Sequence, residues 1–172
     1  MNFLCLISLT ITIGCNNVPL QQDLVKDSFA VFAGTTPCSN VIRTIHNIKP
    51  EADCQLQDCK CIMVEWKLTL YMDANTESPT TYELKGVNRH SVKETNMYSE
   101  PGTTREVKGK WVIIKGTKTD PNAIVYQLNP DQPATKVSLL KLGDNLLHII
   151  DQNEKLMVGN EFHSYTLNRV SK

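Results

Sequence analysis

The chain has 172 residues, of which 41% are hydrophobic and 21% charged. That suits one folded domain with a real core and excludes a disordered chain. Lys and Arg number 18, as do Asp and Glu. This balance argues against a nucleic-acid binder, which needs a basic excess, and gives no cause for strong attraction to anionic lipid.

The N-terminus from Phe3 to Ile13 is apolar with Ser and Thr, and it carries no charge. Its length suits the apolar region of a signal peptide and is too short to span a bilayer. Gly14-Cys15 follows, then polar Asn16-Asn17. This pattern resembles a bacterial lipobox, in which a small residue precedes the cysteine that becomes lipidated. Residues 1–14 are therefore expected to be a lipoprotein signal peptide, with lipidation at Cys15 and anchoring in the membrane. Plain secretion is the alternative. Both routes lead to an oxidising compartment, where cysteines tend to pair. Residues 16–27 are polar and include Pro19, so they read as a tether.

The folded domain is expected over residues 28–172. Ser28 to Gly34 reads as a first short strand. Residues 39–57 are less regular, with a loop or a short helix around Val41 to Ile48. The clearest strand runs from Ile62 to Met72. Ile62, Val64, Trp66, Leu68, Leu70 and Met72 share one parity there, and Met63, Glu65, Lys67, Thr69 and Tyr71 share the other. Strict alternation of this length indicates one buried face. Asp73 to Pro79 forms a turn, and Thr80 to Leu84 returns as the hairpin partner. The charges between Lys85 and Glu106 are interspersed, as on a solvated face. Further strands are expected at Thr104–Lys108 and at Lys110–Lys115, where Val112 and Ile114 look buried. Others follow at Ala123–Leu128, Thr135–Leu142, Leu146–Ile150, Lys155–Val158 and His163–Val170. No segment of helical period and useful length follows residue 60. Short strands with turn signals every eight to twelve residues predict an all-β antiparallel sandwich or barrel.

Cys38, Cys54, Cys59 and Cys61 fall within one short stretch before the amphipathic strand. Four cysteines allow three pairings. A Cys59–Cys61 bridge within an extended strand strains the geometry. Two sets remain: Cys38–Cys59 with Cys54–Cys61, or Cys38–Cys61 with Cys54–Cys59. A soft-metal site is the competing reading, because thiolate and thioether sulfur favour Cu(I). If the strand reaches back through Cys59, then Cys59, Cys61 and Met63 share the face opposite Ile62, Val64 and Trp66. The spacing fits no standard zinc template. His46, His90, His148 and His163 are scattered. No Gly-x-Ser-x-Gly elbow, phosphate loop or His-Glu-x-x-His is present, so no enzyme activity is expected.

The order of segments resembles the N-terminal domain of the NlpE-like copper-resistance lipoproteins. The resemblance rests on Gly14-Cys15, on the strand followed by Thr36-Pro37-Cys38, and on Asp58-Cys59 leading into Leu68-Thr69-Leu70-Tyr71-Met72-Asp73. Gly109-Lys110-Trp111, Leu142-Gly143-Asp144-Asn145-Leu146-Leu147 and Ile150-Asp151 complete it. The family carries a Cys-x-x-Cys step before the amphipathic strand. Here Cys38 and Cys59 match its two cysteines, residues 39–57 are inserted between them, and Cys54 and Cys61 are additional. The resemblance implies a lipocalin-like antiparallel meander barrel on a lipid anchor in the cell envelope, with the outer membrane as the expected site. It favours the Cys38–Cys59 pairing. It also implies a non-enzymatic role in copper or envelope-stress response, through Cu(I) or an envelope protein partner. Two other roles suit such a barrel: a carrier of a small apolar ligand, or a structural surface protein whose interior is filled by Trp66, Trp111 and aliphatic residues.

Overall fold

The computed structural model describes residues 28–38, 61–90 and 102–171. Eight strands follow in chain order: β1 (Ser28–Pro37), β2 (Cys61–Met72), β3 (Pro79–His90), β4 (Thr103–Lys115), β5 (Ile124–Leu128), β6 (Val137–Gly143), β7 (Leu146–Ile150) and β8 (Thr166–Ser171). Each pairs antiparallel with the next, and β1 also pairs with β8, so the sheet closes into a meander barrel. Closure removes the exposed sheet edges that an open sandwich would leave. The expected sheet is therefore a barrel. Cys15, Cys54, Cys59, His46 and the Val41–Ile48 segment lie outside the described residues.

The alternation of β2 becomes the inner wall. Val64, Trp66, Leu68 and Leu70 point inward, each no more than 4% exposed. Phe32 from β1, Tyr82 and Leu84 from β3, Trp111 from β4, Leu139 from β6 and Leu167 from β8 meet them in the core. Two tryptophan N–H groups must be satisfied at this wall. Trp66 Nε1 donates to the buried Thr36 Oγ1 at 2.9 Å, and Trp111 Nε1 donates to the Tyr71 carbonyl at 2.8 Å.

Several strands differ from the sequence expectation. β3 continues past Leu84 to His90, because its inward positions there are Gly86 and the buried Asn88. Those residues carry no hydrophobic period. The outward charges of this stretch form ion pairs across strands, with Arg89 gripping Glu65 at 3.0 and 3.1 Å and Lys108 bonding Glu83 at 2.7 Å.

The two segments expected at Thr104–Lys108 and Lys110–Lys115 fuse into β4. Gly109 sits between them as a close-approach residue. A Cβ there would meet the Tyr82 ring at 2.8 Å and the Asn129 side chain. Glycine inside a strand marks such an approach as often as a break. Val112 and Ile114 do not join the core. Ile114 faces outward and is 37% exposed, and Ile113 lies at the rim with 43% exposed.

Lys155–Val158 is not a strand. Asp151 accepts the N–H groups of Asn153 and Lys155, both at 2.8 Å, and closes a turn that leaves a single bridge between Ile150 and Leu156. β8 begins at Thr166, because residues 160–163 are taken by a second turn.

Candidate functional site: the disulfide-pinned end

In a meander barrel successive connections alternate between the two ends. One end gathers the close of β1, the start of β2 and the β7–β8 connection. A disulfide between Cys38 and Cys61 pins it, with Cα atoms 5.9 Å apart. Backbone pairing prepares this bond, since Pro37 lies opposite Met63 and the Cys38 N–H reaches the Ile62 carbonyl at 3.4 Å. The pairing that the resemblance favoured, Cys38–Cys59, is thereby corrected to Cys38–Cys61. The β2–β3 register shifts between Cys61 and Met63, and both bridged cysteines pack against the edge of the core.

That geometry also dismantles the expected sulfur patch. Cys38 and Cys61 are bonded to each other, so neither offers the thiolate that a soft metal needs. Met63 is 8% exposed, so its thioether does not face open solvent. Cys38, Cys61 and Met63 therefore do not fit Cu(I). Among the described residues, no three His, Cys, Asp or Glu side chains converge on a metal position.

The β7–β8 connection presents what the sequence reading missed. Val158 is 88% exposed and Phe162 is 76% exposed. The backbone beneath them is built firmly. Asn160 Oδ1 accepts the N–H groups of Phe162 at 3.0 Å and His163 at 2.8 Å, and the Asn160 N–H donates to the His163 carbonyl at 2.9 Å. A Cβ at residue 159 would collide with that same carbonyl, so the position requires glycine. Two histidines tie the connection down. His163 Nδ1 lies 3.3 Å from Thr35 Oγ1 on β1. His148 Nε2 meets the Met157 carbonyl at 2.9 Å, and its Nδ1 meets Thr166 Oγ1 at 3.0 Å. A carbonyl only accepts, so in the neutral ring Nε2 holds the proton. These histidines are positioning groups of the connection. The result is a rigid knob with two apolar side chains in water, an arrangement that loses little freedom on binding.

Among the described residues, the barrel interior is closely packed. Its central void measures about 10 Å³ and is lined by Trp66, Leu68, Leu84, Leu128, Leu139 and Leu167, among others. That is about the room of one water molecule, inside an apolar wall where water finds no partner. No protein family, curated protein or solved structure matches the chain.

Proposed function

We propose that the chain is the barrel domain of an NlpE-like cell-envelope lipoprotein, anchored through Cys15, with the outer membrane as the expected site. Its role is non-enzymatic, in copper or envelope-stress response, and it acts by touching an envelope protein. The observation that carries this reading is the filled interior, with a central void of about 10 Å³. Among the described residues the interior is given over to packing, which favours action through the outer surface. Export to an oxidising compartment agrees with the Cys38–Cys61 bridge. The same bridge argues against direct Cu(I) ligation by these two sulfurs, so the response runs through protein contact.

Val158 and Phe162 supply the contact surface. A few anchoring residues carry most of the binding energy of an interface, and Phe162 is the large one on this knob. The bridge ties together both ends of the 39–60 segment beside this knob, which would make the contact depend on the redox state of the cysteines. The carrier reading loses ground because eight strands leave space for a ligand only when side chains do not fill them. A structural surface protein would share the filled interior.

The test compares full-length protein with the V158S/F162S variant in cells, reading copper tolerance and an envelope-stress reporter. The variant is expected to be exported and folded as the parent is, and to lose the response. An unchanged response with the variant present at parental level would contradict the proposal and favour the structural reading.

A further inference from the structure

The opposite end of the barrel carries its own apolar surface. β1 enters there at Ser28, and the β4–β5 and β6–β7 connections turn there. Leu142 is 51% exposed, Leu146 37% and Val170 61%. They stand on three consecutive strands: Gly143 pairs with Leu146, Leu146 pairs with Asn168, and Val170 lies two residues beyond. Ile113 and Ile114 extend the rim on β4, where Ile114 pairs with Val125 and Val125 pairs with Leu140. Two of the neighbouring cations are engaged, whereas Lys115 beside Ile114 and Lys118 in the β4–β5 connection are exposed at the same end. Lys141 bonds Asp144 at 2.9 Å. The Arg169 guanidinium lies over Phe29 and Phe32, 5.5 and 6.0 Å from the ring centres, and donates to the Phe29 carbonyl at 3.1 Å.

What covers this surface follows from where the chain enters. Twelve residues, 16–27, separate Cys15 from Ser28. Even fully extended, they span at most about 40 Å. A short tether holds a domain at an effective concentration on the order of millimolar at its anchor. A contact of millimolar affinity, too weak to bind a free protein, is then enough. We infer that the end of the barrel carrying Ser28 rests on the lipid bilayer, with Leu142, Leu146 and Val170 dipped into its interface. This rests on the lipid-anchor reading of Cys15. It also goes beyond it, because resting this end on the membrane turns the Val158–Phe162 knob away from the membrane, toward a partner. The side chains of the contact are apolar, so it forms on a bilayer that carries no net charge.

The test uses the full-length chain, extracted from membranes and reconstituted in phosphatidylcholine vesicles with brominated acyl chains. L146W and V170W each place an indole on the proposed contact, and F162W places one on the far end. Trp66 and Trp111, both buried, give the background that the parent protein measures. An indole in the contact sits about 5–10 Å into the headgroup–acyl boundary, within reach of quenching by bromine on the acyl chains. Quenching of L146W and V170W in phosphatidylcholine vesicles, with F162W unaffected, is the expected result. Quenching of F162W instead, or of none of the three, would overturn the inference. The intact mass of the same preparation separates the two failures. Acylated Cys15 without quenching defeats the resting orientation alone, whereas an unacylated chain removes the anchor and the inference with it.

Discussion

Single side chains decide how this wall seals itself. Thr36 is fully buried, and its hydroxyl receives the Trp66 N–H. Trp66→Phe removes the donor and leaves Thr36 without that partner, which is expected to cost about 1–3 kcal/mol in chemical denaturation. A change below a few tenths of a kcal/mol would show that the bond contributes nothing. Tyr82 lies beside Gly109 and Asn129, and burial raises its pKa above 10.0 against the opposing Asn129 hydrogen bond. The folded state thus holds the phenol proton more tightly than the unfolded state. Its contribution is full below pH 10 and is lost as pH rises through the folded value. Carboxylates set the acid side. Backbone N–H donors hold Asp151 and Asp73 below 3.8, with Lys155 the main donor to the first and Thr76 to the second. Their contribution is present above that value and lost as pH falls through the folded one. Stability measured across pH is therefore expected to be flat at neutrality and to fall at both extremes, and Y82F is expected to flatten the alkaline limb. At this scale the tryptophans were legible, because their parity in β2 and β4 sets them inside. The Asn129–Tyr82–Gly109 contact was not, since it joins residues from β3, β4 and the β5–β6 connection.

Elements show which patterns a sequence exposes. β2 was readable because every inward position is large and apolar. The second half of β3 was hidden, because Gly86 and Asn88 occupy the inward positions of a charged-looking stretch. The Val158–Phe162 knob was hidden for the opposite reason. Its apolar residues imitate a strand, whereas Gly159-Asn160 was a turn signal that could have corrected the reading. The disulfide joins two elements whose pairing the sequence left open between two sets. It closes a loop across a sequence separation of 23, which is worth about 3 kcal/mol in the chain-entropy picture. C38S/C61S is therefore expected to lower the melting temperature by about 10 °C, with the barrel retained. Equal melting temperatures would mean that the closed loop adds no stability.

For the molecule as a whole, closure of β8 onto β1 and a packed interior make the barrel a scaffold. Alternation and regular turn spacing made the all-β class legible. They could not settle whether the interior would be full, because that depends on how side chains from all eight strands share one volume. One end is covalently pinned and displays a rigid apolar knob. The other carries Ser28, where the proposed tether would join. The proposed division of labour depends on the state of the sulfurs, since a bonded pair fits the proposed contact surface and free thiolates would suit copper. Peptide mapping of the unreduced, full-length protein with thiol counting tests that point most directly. The expected result is a linked peptide pair containing Cys38 and Cys61 that separates on reduction. Free thiols at both positions that take up Cu(I), or a bridge from Cys38 to Cys59, would contradict it.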